Sequence, residues 1–458
     1  MSDGSLISAV DLAGAALRGG FRHVVLDLFA GMGGLGRSME LQGIGDQHGV
    51  LHLHFETDQR CRDLLARHHS QAHCFLALDT QTADPPDPKK NPQGSVFSLA
   101  SQWSCLQSFL QHVDNKWGLL SILVAGGFPC VGNSRANSNP TGSCHPESKK
   151  VIIFPVVIGQ LASCSFKSHV DIIYMIENVV MDVNDLTRES RDRLSEVLQV
   201  EPDRHDASRV SPASRERLIW TNLPSQELPS LQIDARDYLD DHWAPVWELP
   251  DEVSKPNLRF STFLRGFSPG WPGPKEIPED LGKVSRLPLH AYSDRQLVYL
   301  RSASPAQKAT IKHWLKRSIQ IKTDGLRTRG SAANRARCEL MRFIHLEGGH
   351  ETLRPLNGPE RDRVLGFKPG SSSLPSDSSS EEPISNRFFI RGHMEATGNT
   401  FSCQMISRVL SPWCSWVLQQ GQGSSAISLK TSFLPKVTDL SEAERLLVPP
   451  QPSGGHRS

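Results

Sequence analysis

Cys130 closes the run Val124-Ala125-Gly126-Gly127-Phe128-Pro129-Cys130, and Glu177-Asn178-Val179 closes a second apolar run, Val170 to Ile176. A cysteine attacks as its thiolate, although a free thiol titrates near about 8.5. A carboxyl can donate a proton or a hydrogen bond if its surroundings raise its pKa toward neutrality. Together these groups suit covalent catalysis on a pyrimidine ring. Its C5 is a poor nucleophile until a thiolate adds at C6 and pushes electron density onto C5, with a hydrogen bond at N3 accepting the developing charge. Taken singly, Cys130 reads as a buried structural thiol and Glu177-Asn178 as a capping pair. At adjacent strand ends of one sheet they read as a site, with Asn178 holding the loop that carries Cys130 or reading a base edge.

The glycines Gly31, Gly33 and Gly36 follow the apolar run Val24 to Phe29 at the G-x-G-x-x-G spacing of a nucleoside-binding turn. Glu56 stands where the fingerprint puts its ribose-binding acid, about 20 residues on. Asp79 is placed to accept from an adenine amino group, and Phe29 to stack on the base. By itself this turn suits NAD as well as any other adenosine cofactor. A dehydrogenase, however, has no general need for a cysteine after Pro129, and an NAD-dependent oxidoreductase leaves Glu177-Asn178 unexplained.

These residues need strands to carry them, and the chain supplies a repeating pattern. Strands are expected at Val24 to Phe29, Val50 to Glu56, Cys74 to Leu78, Leu119 to Ala125, Val170 to Ile176 and Arg217 to Leu223. Helices are expected to about Gln42 after the glycine turn, over Arg60 to His68, Trp103 to Val113, about Leu186 to Leu198, and Met405 to Leu418. Continuous apolar strands alternating with helices predict an α/β fold, a mainly parallel sheet with helices on both faces. The chain has 458 residues, enough for one large core and a smaller one. No stretch reaches the roughly 18–20 apolar residues of a membrane span. The first twenty residues lack the basic start of a signal peptide. Nine scattered cysteines without a C-x-x-C pair argue against a disulfide framework or zinc knuckle and for a reducing compartment. The net charge is +1, so any phosphate grip must be local. Between Arg301 and Arg342, eleven Lys/Arg face only Asp324 and Glu339, which supplies such a patch.

Asp27-Leu28-Phe29-Ala30-Gly31-Met32-Gly33-Gly34, Gly127-Phe128-Pro129-Cys130 and Glu177-Asn178-Val179 resemble, in order, three signature motifs of the cytosine-5 DNA methyltransferases. Arg215-Glu216-Arg217 resembles that family's Arg-x-Arg motif. The run from Val210 to Pro224 is similar in wording to the animal de novo DNA methyltransferases. Leu356-Asn357-Gly358-Pro359-Glu360-Arg361 with Leu365-Gly366-Phe367 looks like the penultimate motif, and Gly398-Asn399-Thr400-Phe401 like the last. The resemblance covers roughly residues 22–224 and 352–418.

It implies a Rossmann-like S-adenosylmethionine-dependent methyltransferase fold with a smaller target-recognition domain. S-Adenosylmethionine would be held by Phe29, Gly31, Gly33, Glu56, Asp79 and Asn399. Cys130 would be the nucleophile, Glu177 would sit on N3 of a flipped cytosine, and Arg217, with Arg215, near the exocyclic oxygen. The loop Val131 to Lys150 would be a mobile segment closing over the base. The expected organisation is an N-terminal extension (1–20), a catalytic domain (21–223) and a target-recognition region (224–350). The chain then returns to the catalytic domain (351–418), with a flexible serine-rich insertion (370–383), and ends in a loose tail (419–458). The basic block 301–342 would meet phosphates of double-stranded DNA, with Arg327 and Arg329 in the recognition loop and Arg329 reading guanine. The resemblance further implies a nuclear protein, no membrane partner, and association with related methyltransferase subunits. A tRNA methyltransferase of the same fold is the alternative, although the Cys-Phe-Thr signature of that branch is missing from 224–350. A catalytically inactive regulatory homologue is a further alternative, against which the intact Cys130, Glu177 and glycines argue.

Overall fold

The computed structural model describes residues 20–56, 58–68, 74–76, 99–134, 137, 139–249, 259–260, 297–313, 315, 353–374, 397, 400–420 and 427–449. Its strands are β1 (His23–Leu28), β2 (Val50–Phe55), β3 (Cys74–Leu76), β4 (Ser121–Gly127), β5 (Asp171–Val179), β6 (Asp203–Asp206), β7 (Glu216–Thr221), β8 (Trp243–Pro245), β9 (Leu297–Leu300) and β10 (Leu353–Pro355). The helices are α1 (Gly34–Glu40), α2 (Gln59–His68), α3 (Leu99–Trp117), α4 (Ile153–Ala162), α5 (Asp185–Leu198), α6 (Gly358–Leu365), α7 (Cys403–Val409), α8 (Ser411–Gln419) and α9 (Leu440–Leu447). The chain forms two compact units, Met1–Asp206 with Glu216–Pro229 and Thr400–Ser458, and Ala207–Arg215 with Ser230–Asn399.

The first unit holds a 7-stranded sheet in the order β3-β2-β1-β4-β5-β7-β6. β1 pairs in parallel with β2 and β4, and β4 in parallel with β5, while β7 runs antiparallel to β5 and β6. Every residue of β1 is buried, as expected of a strand covered on both faces. On one face Leu26, Ile122, Val124, Tyr174 and Ile176 pack with Phe109 and Leu110 of α3, Phe154 and Ile158 of α4 and Leu194 of α5. α1 and α7 pack on one another, and Trp413 of α8 donates its Nε1–H to Ser121 Oγ at 3.2 Å. This is the expected Rossmann-like architecture.

In the first unit the sequence pattern missed β6, α4 and α9, and in the second it missed β8, β9, β10 and α6. β6 reads Asp203-Arg204-His205-Asp206, with no apolar signal, and exists because β7 offers it a ladder. α4 is buried almost all round and has no polar face to give it a helical period. The loose tail expected over 419–458 is a correction, because residues 427–449 are packed. Val437, Ala443 and Leu447 belong to the same core cluster as the sheet. The return to the first unit also comes at Thr400, not at 351.

The second unit contains the antiparallel sheet β10-β9-β8. Arg354 makes a forked contact with Glu360 at 2.6 and 2.8 Å and lies over the Trp243 ring at 4.0 Å. Asn357 and Glu360 cap the start of α6 reciprocally, so the segment resembling the penultimate motif is an internally braced helix start. Of the serine-rich insertion, residues 375–383 lie outside the described residues, as do 316–350 of the basic block.

Two buried pairs sit in the sheet itself. Asp27 and His54 face each other across β1 and β2 at 2.9 Å, both fully buried. Burial pushes the Asp27 carboxyl well above its ordinary range and the His54 imidazole down to about 3. Burial thus disfavours the charged form of both groups, in keeping with the large cost of two desolvated charges. His23, bonded to Ser121 Oγ at 2.9 Å, is lowered to about 4, chiefly by burial and then by Arg22. A histidine with a lowered folded pKa contributes stability that is present above its ordinary 6.5 and lost as pH falls toward the folded value. The thermal midpoint is thus expected to fall between pH 6.5 and pH 4, and His23→Gln is expected to flatten that limb. Asp27, raised by burial, acts in the opposite sense and offsets His54 over this window. The slope therefore comes from His23, and a level wild-type midpoint would contradict the neutral burial of His23.

Candidate active site

The site lies at the carboxyl ends of β1, β2, β4 and β5, where parallel strands converge. β1 delivers Phe29, whose φ of 58° is left-handed, followed by Gly31 at 56° and Gly33 at 88°. For the glycines this conformation is free of strain, whereas for Phe29 it is not, as is common where a fold shapes a binding site. A Cβ on Gly31 meets nothing within 4 Å, so the turn borders open space. Glu56, one residue past β2, accepts the Gly31 N–H on Oε2 at 2.7 Å and the Asp58 N–H on Oε1 at 2.8 Å. The Phe29 ring packs against Phe154 at 5.9 Å. A carboxylate pinned beside an open glycine turn fits the ribose of an adenosine cofactor. Asp79 and Asn399 lie outside the described residues.

β4 delivers Cys130 through a turn held from several sides. Cys130 is half-buried and takes part in no disulfide among the described residues. The Asn133 N–H donates to its carbonyl at 2.9 Å. Ser148 Oγ donates to Pro129 O and accepts the Gly132 N–H, both at 2.9 Å, and the Gly142 N–H donates to Gly132 O at 2.8 Å. From β5, Asn178 Nδ2 donates to Phe128 O at 2.9 Å, while its Oδ1 accepts the Val179 N–H at 2.9 Å and Asn133 Nδ2 at 3.5 Å. Of the two roles expected for Asn178, the structure shows the first, bracing the cysteine turn. The loop Val131 to Lys150, expected to close over the base, takes part in these contacts. Its described residues include the 3₁₀ turns Gly142–Cys144 and Ser148–Ile152 and are bonded into the framework; residues 135, 136 and 138 lie outside them.

Glu177 pairs in register with Gly127, and a Cβ on Gly127 would stand 2.7 Å from Glu177 Oε2 and 2.9 Å from the Phe401 ring. Only a glycine lets this carboxylate lie over the strand end. On its other oxygen, Oε1, Glu177 faces Arg217 Nε at 2.6 Å, with both side chains under a tenth exposed. The reversal of β7 allows this, because it brings the first residues of that strand to the end of β5. Arg217 Nη1 also donates to Glu216 O at 2.6 Å. The structure therefore gathers Cys130, Glu177, Asn178 and Arg217 with Phe29, Gly31, Gly33 and Glu56 on one unit. Arg215 is buried, with its carbonyl accepting from Ala207 N at 3.1 Å, and belongs to the second unit. Arg327 and Arg329 lie outside the described residues. Ser148 and Asn133, both fully buried, were missed by sequence reasoning. Each is one polar residue in a polar stretch, and no spacing marks it.

Scanned against protein-family models, the chain matches none, and no curated protein matches it either. Among solved structures 54 chains match. One is the methyltransferase EhMeth of Entamoeba histolytica, 13% identical, covering 88% of this chain and 99% of that one, with a TM-score of 0.45. The sheet order and strand directions define a mixed α/β protein with a mainly parallel, Rossmann-like sheet.

Asn178→Ala is expected to destabilise the protein by about 1–3 kcal/mol, since it strands buried backbone groups. Denaturant unfolding measures this; an unchanged midpoint would mean that Asn178 does not brace the turn.

Proposed function

We propose that the chain is a DNA (cytosine-5)-methyltransferase, with duplex DNA as substrate and S-adenosylmethionine as methyl donor. The observation that carries this reading is a braced cysteine turn beside the Glu177–Arg217 pair, on the sheet edge that also holds the Gly31 turn and Glu56. Phe29, Gly31, Gly33 and Glu56 are the residues that would hold the cofactor, which supplies an electrophilic methyl group. Cys130, as thiolate, adds to C6 of a flipped cytosine. The new S–C6 bond moves the C5–C6 electron pair onto C5, the atom that would accept the methyl group as the donor's S–CH3 bond pair stays on its sulfur. Loss of the C5 proton then expels the thiolate and restores the ring. Glu177 serves N3 through Oε2, while Arg217 stays on Oε1 and Asn178 keeps the thiol in place.

The same reading assigns the basic block 301–342 to phosphate contacts, places the protein in the nucleus and allows association with related subunits. Of that block, Arg301, Lys308 and Lys312 fall among the described residues.

The test is labelled-methyl transfer from S-adenosylmethionine to duplex DNA and to tRNA, with Cys130→Ala in parallel. Label is expected on DNA and lost in the variant. Label on tRNA alone moves the assignment to tRNA, and activity surviving in Cys130→Ala sinks the covalent route. Glu177→Gln is expected to slow transfer about 10²–10⁴-fold. Neutralising Arg301, Lys308 and Lys312 is expected to weaken DNA binding and flatten its dependence on salt by about 0.9 per lost phosphate contact. A salt slope equal to wild type removes those residues from the interface.

A further inference from the structure

Besides Asn178 and Asn133, the turn that carries Cys130 has two further hydrogen-bond anchors, Ser148 and Gly142. Each is followed directly by residues clamped to the segment 427–449. Beside Ser148, Lys149 Nζ pairs with Glu444 Oε1 at 2.5 Å. Beside Gly142, Ser143 Oγ donates to Leu447 O at 2.8 Å, and Cys144 Sγ donates to Pro449 O at 3.5 Å. Further along, Gln160 Nε2 donates to Thr438 O at 2.8 Å and Arg193 Nη1 to Leu446 O at 3.1 Å. The segment enters against β7, where Lys430 N donates to Asn222 O at 2.7 Å. Its backbone then lies so close on α4 that a Cβ at Gly159 would stand 2.1 Å from Val437 O and 2.9 Å from Pro435 O.

From this arrangement we propose that the segment 427–449 is a positioning element for the nucleophile, a strap that fixes the Cys130 turn through its two anchors. The role rests on Cys130 being the reactive residue of the proposed function. Val437, Ala443 and Leu447 fasten the strap to the core, so its backbone is a firm support. Lys149 and Glu444 are both partly exposed. Their ion pair alone is therefore weak, and the hold comes from the buried Ser143 bond and the close fit at Gly159 acting with it.

The test uses the full chain and iodoacetamide, with alkylation of Cys130 followed by peptide mass spectrometry and Cys61 as a buried internal control. Lys149→Glu sets two carboxylates against each other, and the double change Lys149→Glu with Glu444→Lys restores a pair. Gly159→Ala lifts the strap while favouring the helix beneath it. Lys149→Glu and Gly159→Ala are expected to raise the Cys130 rate up to about fivefold, the range of an exposed ion pair, leaving Cys61 unchanged. The double change should return the rate to wild type. Hydrogen exchange over Leu440–Leu447 shows directly whether the strap has lifted. Faster exchange with an unaltered Cys130 rate overturns the proposal, and so does Gly159→Ala without faster exchange. Alkylation requires no methyl transfer, so a chain that methylates neither nucleic acid still tests the strap. A strap that proves idle leaves the Cys130→Ala comparison standing.

Discussion

The side-chain amide of Asn178 joins two strand ends that the backbone ladder alone leaves unlinked. β4 and β5 pair only as far as Gly127 and Glu177, and beyond them the chain must turn. By donating to Phe128 O and accepting from Val179 N, Asn178 extends the register one step past the last ladder bond. The position of the thiol follows from that step. Ser148, Asn133 and Gly142 then have a defined turn to grip, and Glu177, next to Asn178, has a defined neighbour.

The protein handles buried polarity in two ways. At Asp27 and His54 burial disfavours the charged form of each group, and the two share a hydrogen bond. Glu177–Arg217 and Arg354–Glu360 are instead matched with an opposite partner at close range. The first solution leaves a quiet support behind the glycine turn. The second leaves Glu177 a second oxygen that Arg217 does not face.

What could be read from the chain beforehand follows from the same physics. β1, β4 and β5 are continuous apolar runs that need no context, and the residues at their ends, Cys130, Glu177 and Asn178, were legible because a strand end is where chemistry can be exposed. Glu56 was legible from its distance to the glycines. β6 was not, because Asp203-Arg204-His205-Asp206 becomes a strand only when β7 lies beside it. Ser148 and Asn133 act through backbone groups brought together by the fold, and no residue type announces that. The segment 427–449 looked loose because α9 is short and its apolar residues are few, yet those few, Ala443 and Leu447, reach the main core.

That late segment has a bearing on how the protein comes into being. Ser143 and Leu447 are 304 positions apart, and a chain leaves the ribosome at about 5–20 residues per second. The strands that present the thiol can therefore pair well before the polypeptide that steadies them has been made. During that interval the nascent sheet carries its cysteine on a turn that Asn178, Ser148 and Gly142 can hold but residues 427–449 cannot yet back. The last contacts to form are those joining the most distant parts of the chain. Emergence of residues 427–449 is thus the step after which the turn can gain its most distant contacts.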